Sequence, residues 1–144
     1  MDNFSLSIDV RWADVDANRH VRHSAYPDYA AHMRIRLLQA IDMDIETLAK
    51  HSLGPVLFRE ETIFHREAGL NETLSVNAKL QKVRQDGSRW TFVQEVFRAD
   101  GKLSAVVTVD GDWIDLKKRK LCALPDQFLS SFVDIPRTED FAFI

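Results

Sequence analysis

The 144-residue sequence contains little cysteine, no long apolar run and no excess of positive charge. Its one cysteine, Cys122, cannot form an intramolecular disulfide, which excludes a small domain stapled by disulfide bonds. No apolar stretch approaches the roughly 20 residues that cross a bilayer, so we expect no membrane span. The net charge of -3 argues against the basic surface needed to bind a phosphate backbone, and nucleic acid is therefore not expected as a partner.

A targeting signal is also missing from the N-terminus. Residues 1–12 have neither the basic start nor the apolar run of a signal peptide, which, with the lone cysteine, predicts a cytoplasmic protein. With 45% hydrophobic and 28% charged residues, a chain of 144 residues supports one hydrophobic core but not two. We expect a single domain over residues 1–144, with its core at about 4–124 and a C-terminal helix and tail at 125–144.

Periodicity predicts a strand followed by a long helix. Residues 4–12 alternate apolar and polar side chains, as a half-buried strand does, and a polar, histidine-rich loop follows at 13–23. Between Tyr26 and Ile41 the apolar residues are spaced by three and four, which is typical of a helix that buries one stripe. Ser24 is the candidate cap of this helix, and Pro27 suits its first turn. Residues 44–51 predict a further short helical piece.

The rest of the chain is dominated by strand patterns, at 56–67, 74–81, 90–98 and 103–116. Gly87 and Gly101 each follow an aspartate and indicate hairpin turns, whereas Gly111 inside the last strand predicts a bulge or a close backbone approach. Residues 125–132 predict a short helix, and the tail at 134–144 shows no usable periodicity. The expected fold is α+β, with an antiparallel five-stranded sheet wrapped around one long central helix. The free edge of such a sheet predicts a homo-oligomer, a dimer or a tetramer.

The loop before the long helix carries an unusual density of ionisable side chains, with Asp14, Asp16, His20 and His23 in ten residues. A helix N-terminus offers free backbone N–H groups and a positive dipole end, which can polarise a carbonyl during acyl transfer. A carboxylate beside it can attack the acyl carbon directly or take a proton from an attacking water. The residues alone leave both routes open.

Residues 11–26, RWADVDANRHVRHSAY, resemble the signature of the 4-hydroxybenzoyl-CoA thioesterase-like family of hotdog proteins, R-[FY]-x-D-x-D-x-x-G-H-V-N-N-x-x-Y. The positions that match are Asp14, Asp16, His20, Val21 and Tyr26. Arg34 also falls where the family's helix commonly carries an arginine. The resemblance extends over the order of elements from about residue 5 to 124. It implies a hotdog fold and hydrolysis of an acyl-CoA thioester, with CoA present only as part of the substrate and no other cofactor.

The resemblance also implies roles for individual residues. Asp16, the second aspartate of the D-x-D pair, maps onto the catalytic carboxylate. His23 maps onto the residue at the helix start whose backbone N–H faces the thioester carbonyl, and its ring is a candidate acid or positioning group. Trp12 and Tyr26 would line the acyl pocket. His20 is a candidate substrate contact; alternatively it stabilises the loop, where its ring could hydrogen-bond Asp16. Asp14 is expected mainly to tie down the loop.

The sequence departs from the family signature in two places, which involve three residues. Arg19 stands at the usual glycine, which predicts either that the loop needs no positive φ there or that its path differs. Arg22 and His23 replace the usual asparagine pair. Arg19 and Arg22 are therefore candidate contacts for a substrate carboxylate or a CoA phosphate through charge-assisted hydrogen bonds.

The same residues also allow functions other than thioester hydrolysis. A hotdog protein that binds an acyl-CoA or an acyl carrier without turnover is the alternative function, for which the two departures leave room. A metal site built from the loop's histidines and aspartates is not expected, because the ligand spacing falls in an irregular loop and not on one helix face. Cys122 is expected to be an inert thiol, far along the chain from the loop.

Overall fold

The computed structural model describes residues 4–144 and has the predicted α+β composition, with more strands than expected. The strands are β1 (Ser5–Asp9), β2 (Leu53–Phe64), β3 (Thr73–Asn77), β4 (Lys79–Val83), β5 (Trp90–Phe97), β6 (Leu103–Asp115), β7 (Lys120–Cys122) and β8 (Arg137–Phe143). The helices are α1 (Ala25–Ala40), α2 (Ile45–Lys50) and α3 (Asp126–Val133), with a 3-10 helix at Trp12–Asp14.

All strands belong to one sheet of eight strands, where five were predicted. β2 pairs with β6, β6 with β5, and β5 with both β3 and β4; β1 then flanks β3, and β8 flanks β4. The predicted third strand is divided into β3 and β4 at Ala78, where the side chain of Asn77 accepts the backbone N–H of Glu95 in place of a ladder bond (2.7 Å). The prediction of a purely antiparallel sheet is wrong at one place, because β8 runs parallel to β4.

The first two strands differ from their predicted limits. β1 ends at Asp9, not at residue 12, because Arg11 and Asp14 bond each other and wind Trp12–Asp14 into the 3-10 helix. β2 begins three residues before the predicted start and ends at Phe64, not at residue 67.

α1 lies against the sheet and buries the stripe that the spacing predicted, including Tyr29, Ala30, Met33 and Leu37. Ser24 is the N-cap residue of α1, as predicted, but its side chain does not cap the helix. Its hydroxyl makes no capping bond and instead accepts a hydrogen bond from Arg22 (2.6 Å). The predicted short helices are confirmed as α2 and α3.

Gly111 is a point of close backbone approach, as its position in the strand pattern predicted. A Cβ added there would collide with the ring of Trp90 and the carbonyl oxygen of Val56. The register shift lies opposite it, in β2 between Leu57 and Arg59. Gly87 and Gly101 have φ of 81° and 82°, which confirms their predicted places in tight turns.

β2 is an edge strand with an unusual surface. Within residues 4–144 it pairs only with β6. Four large apolar side chains of this strand are between 43% and 55% exposed, those of Leu57, Phe58, Ile63 and Phe64. A long edge strand with open apolar side chains is rare in an isolated domain. No helix in residues 4–144 is long and apolar enough to cross a membrane.

Candidate active site

A cleft of about 350 Å³ lies between the start of α1, the loop 13–23 and the end of β2. It brings together four residues predicted from the sequence, Asp16, His20, His23 and Tyr26. The remaining wall is formed by Val21, Phe64, His65, Arg66 and Glu67. Residues from two separate parts of the chain, 16–26 and 64–67, thus meet at the start of the central helix.

Asp14 anchors the loop beneath this cleft and does not line it. Its buried carboxylate accepts hydrogen bonds from the side chain of Arg11 (2.8 Å) and from the hydroxyl of Tyr29 (2.9 Å). The hydrogen bonds from Arg11 lower the pKa of Asp14 to about 2, and burial opposes them. The backbone carbonyl of Asp14 also accepts the N–H of Arg22 (2.7 Å). Asp14 therefore joins β1, the loop and α1, which agrees with the structural role expected for it.

Asp16 lies in a tight turn closed by a bridge between Val15 and Val21. Its Oδ1 accepts the backbone N–H of Asn18 (2.8 Å) and, at 3.3 Å, that of His20. Its own N–H donates to the carbonyl of His20 (2.9 Å). Within residues 4–144 its Oδ2 receives no hydrogen bond. The turn therefore fixes the carboxylate through one oxygen and leaves the other available to the cleft.

Arg19 has the left-handed backbone that glycine usually supplies, with φ of 64°. Of the two alternatives for arginine at this site, the one in which the loop needs no positive φ is therefore wrong. Its backbone N–H donates to the carbonyl of Asp16 (3.0 Å), which holds the turn closed. The side chain is exposed and makes no hydrogen bond or ion pair within the described part of the chain, so its proposed contact with substrate stays a prediction.

The backbone at the start of α1 presents an open donor to the cleft. The N–H of Ala25 donates to the carbonyl of Arg22 (2.9 Å), whereas the N–H of His23 finds no acceptor among residues 4–144. The His23 ring is exposed and lines the cleft. His23 directly precedes Ser24, the N-cap residue of α1, so its N–H lies next to the positive end of the helix dipole. Its role as an oxyanion donor stays a prediction.

Two predicted substrate contacts lie outside the cleft wall. Arg22 is engaged by the protein: it donates to the carbonyl of Ala13 (3.2 Å) and to the hydroxyl of Ser24 (2.6 Å), and it lies 3.9 Å from the carboxylate of Asp28. Trp12 is 77% exposed on the 3-10 helix and does not line the cleft of this subunit. Both remain predictions as substrate contacts.

Tyr26 holds the end of β2 against the helix. Its hydroxyl lies 2.8 Å from that of Ser104, which itself donates to the carbonyl of Arg66 (2.7 Å). The ring of Tyr26 meets that of Phe64 edge to face at 5.7 Å, and burial raises the pKa of its hydroxyl. Tyr26 therefore forms part of the wall mainly by fixing the segment that carries Phe64 to Glu67.

That segment was missed as part of the site. Its only signal in the sequence is a polar triplet, His65-Arg66-Glu67, that closes an apolar strand. In the structure, Nδ1 of His20 lies 3.4 Å from the carboxylate of Glu67. The cleft therefore holds two carboxylates, of Asp16 and Glu67, and three histidine rings. No group of residues in 4–144 has the arrangement of a metal site.

Comparison with known proteins supports an acyl-thioester chemistry for this architecture. The model of a family described as the thioesterase-like superfamily matches residues 10–132. No curated protein matches the chain significantly.

Several solved structures have the same fold. A hypothetical protein from Staphylococcus aureus, solved in complex with CoA, superposes with a TM-score of 0.85 at 17% identity, covering 94% of this chain and 86% of that one. A 1,4-dihydroxy-2-naphthoyl-CoA thioesterase from Synechocystis gives 0.81 at 19% identity, with 92% and 96% covered. A DHNA-CoA thioesterase from Staphylococcus aureus gives 0.79 at 15% identity, with 90% and 85% covered. At these identities the likeness shows the fold, the hotdog fold of thioesterases.

Proposed function

Because this chain belongs to the thioesterase-like superfamily, we propose that it hydrolyses acyl-CoA thioesters to a free acid and CoA. The observation that carries the proposal is the cleft lined by both Asp16, which has one oxygen without a hydrogen bond, and His23, whose N–H has no acceptor in residues 4–144. A carboxylate can act as the base or the nucleophile of thioester hydrolysis, and a fixed N–H can stabilise the developing oxyanion.

In the proposed reaction the thioester carbonyl oxygen accepts the N–H of His23 and gains negative charge as the acyl carbon is attacked. Asp16 either attacks this carbon through Oδ2, forming an anhydride that water opens, or removes a proton from an attacking water. In both routes the carbon–sulfur bond breaks, the thiolate of CoA leaves and takes a proton, and one water is consumed. No cofactor is needed for this chemistry.

Copies of the chain are expected to associate through β2. The strand is an unpaired edge with exposed apolar side chains, and its last residues lead into the cleft wall. Association would cover both the edge and the open side of the cleft, where the adenine and phosphates of CoA could then contact a second copy. A cytoplasmic location also stays a prediction.

The test is thiol release from short, long and aromatic acyl-CoAs, followed with a chromogenic disulfide. In the Asp16→Asn variant the amide oxygen can still accept hydrogen bonds from the N–H groups of Asn18 and His20. The turn is therefore kept, and only the negative charge is lost. We expect this variant to lose about 100- to 10,000-fold in kcat, the usual range for a general base. Asp42→Asn, at an exposed aspartate beyond the far end of α1, is the matched control and should keep full activity.

Other outcomes separate the alternatives. Binding of acyl-CoA without thiol release by the wild type would indicate the binding protein and overturn the hydrolase. Equal rates for wild type and Asp16→Asn would remove Asp16 from the mechanism. In the same assay His23→Ala distinguishes a backbone donor, for which activity persists, from a ring that acts in catalysis.

A further inference from the structure

A second cavity, of about 130 Å³, lies between α1 and the first half of β2 and is separate from the cleft. Its wall is almost wholly apolar and includes Leu57, Trp90, Trp113 and Phe132. The rings of Trp113 and Phe132 pack edge to face at 5.2 Å, which makes the floor rigid. The volume is close to that of cavities of about 150 Å³ that hold one benzene ring. One charged side chain, that of Arg34, lines this apolar pocket.

Arg34 has more hydrogen-bonding capacity than the protein uses. Its Nη1 donates to Oε1 of Gln94 (2.8 Å), and this is its one hydrogen bond within residues 4–144. Gln94 is fully buried, and its Nε2 donates to the carbonyls of Ala30 (2.9 Å) and Asn77 (3.2 Å), so its orientation is fixed. A neutral amide positions the guanidinium without neutralising it.

The charge of Arg34 is not paired within the described chain. Burial lowers the pKa of Arg34. The negative charge of Glu60, an exposed residue of β2, opposes this shift, but Glu60 forms no ion pair with Arg34. A partly buried guanidinium without a carboxylate partner is unfavourable, because desolvation is not offset by pairing. A ligand that supplies the anion would remove this cost.

A second donor in the same wall is also unused. The indole N–H of Trp90 is buried and finds no acceptor among residues 4–144, whereas that of Trp113 donates to the carbonyl of Gly87 (2.9 Å). No lining side chain of the pocket is a hydrogen-bond acceptor. Because the indole N–H of Trp90 has almost no accessible surface, the donor that the wall offers to a ligand is the guanidinium of Arg34, and that ligand should carry an acceptor.

The pocket and the cleft lie along the same seam between α1 and β2. The cleft meets β2 at Phe64, and the pocket meets it at Pro55 and Leu57. α1 rises about 14 Å from Ala25, its first residue, to Arg34, and a helical side chain leans back toward the N-terminus, which shortens the gap. An extended chain spans roughly 1.2 Å per bond, so about ten bonds reach roughly 12 Å, which is comparable with the shortened gap.

From this arrangement we propose that the acyl group of the substrate ends in a carboxylate, which binds Arg34 while the thioester lies at Asp16 and His23. The proposal deepens the thioesterase function and rests on it. The substrate class is then a monothioester of CoA with a dicarboxylic acid of medium length. The methylene chain would run between α1 and β2, and the guanidinium of Arg34 would bind the terminal anion by a charge-assisted hydrogen bond.

The experiment compares suberyl-CoA with octanoyl-CoA and dodecanedioyl-CoA with lauroyl-CoA, using wild type, Arg34→Met and Arg34→Lys. We expect wild type to prefer the carboxylated member of at least one pair in kcat/KM. Arg34→Met should lose about 10- to 100-fold on that substrate, while its rate on the plain acyl-CoA is retained. Arg34→Lys should recover part of the preference. Arg36→Met makes the same change at an exposed arginine of α1 and should leave the preference intact.

Calorimetric titration with free sebacate and decanoate tests the pocket independently of turnover. If sebacate binds to wild type and not to Arg34→Met, the pocket proposal is supported even when no thioester is hydrolysed. The absence of hydrolysis would then refute only the proposed thioesterase function. Hydrolysis of plain acyl-CoAs with no preference for the carboxylated ones, together with no sebacate binding, would overturn this inference and leave the thioesterase intact. A loss of self-association in Arg34→Met with unchanged preference would assign the arginine to a contact between copies instead.

Discussion

At the scale of single residues, the candidate site depends on one left-handed backbone position. Arg19 has φ of 64° and closes the turn that presents the Asp16 carboxylate. A residue with a Cβ is less stable in this conformation than glycine by about 1–2 kcal/mol. Since the arginine side chain makes no contact within the described chain that would offset this, the turn is held by its neighbours.

Arg19→Gly should therefore stabilise the protein. Glycine removes the strain, and its greater freedom in the unfolded chain takes back about 0.5–1 kcal/mol, so we expect a net gain of up to about 1 kcal/mol. In a thermal melt this raises Tm by about 2–4 °C. Arg19→Val is the control: a β-branched residue is disfavoured at positive φ and should lower Tm. A lower Tm for Arg19→Gly would contradict the strain argument.

Individual site residues were predictable where they are contiguous in sequence. Asp16, His20, His23 and Tyr26 lie within one short segment, so their meeting in the cleft follows from local geometry. Glu67 reaches the same cleft only because β2 returns along α1, and nothing in its own neighbourhood indicates this. The pocket around Arg34 likewise needs residues from α1, β2, β5, β6 and α3 together.

At the scale of elements, the junction between β1 and α1 depends on the buried carboxylate of Asp14. This carboxylate accepts hydrogen bonds from Arg11 and Tyr29. All three residues are distant in sequence from the β2 segment that completes the cleft. The same network winds the 3-10 helix that ended the predicted first strand early. The junction therefore links local structure to the placement of the active-site loop.

Asp14→Asn should weaken folding in a pH-dependent way. The folded pKa of about 2 lies below the ordinary value of 3.8, so the carboxylate stabilises the fold above about pH 4 and this contribution is lost as the pH falls through 2. The shift corresponds to about 2 kcal/mol. In urea unfolding at neutral pH, Asp14→Asn should be less stable by about that amount, and the gap to wild type should close toward pH 2. A gap that stays constant with pH would show that the charge is not responsible.

Elements fixed by local pattern were predicted well, and those fixed by distant partners were not. The stripe of α1 and the turns at Gly87 and Gly101 follow from neighbouring residues. β8 exists because it pairs with β4, more than fifty positions away, and its own residues are too charged to alternate. The break at Ala78 likewise depends on a side-chain bond from Asn77 to Glu95.

At the scale of the whole molecule, the unpaired edge of β2 determines how copies would meet. The strand is twelve residues long, pairs on one side only within residues 4–144, and exposes large apolar side chains on both faces. Natural proteins usually protect such an edge with charge, proline or a partner, and β2 carries Pro55 and the charged residues 59–61 among its exposed apolar side chains. Since the cleft wall begins where this strand ends, a second copy bound to this edge would also affect the site.

Ile63→Lys should shift the protein toward the monomer. Ile63 is 50% exposed on β2, and a lysine there places a charge in the contact that we expect between two copies. Sedimentation velocity at micromolar concentration should show a dimer or larger for wild type and a smaller species for the variant, with a parallel loss of thiol release because the open side of the cleft loses its cover. Leu121→Lys, at a side chain that is 45% exposed on β7, should change neither. A wild-type protein that sediments as a monomer and still hydrolyses acyl-CoA would place the whole active site within one chain.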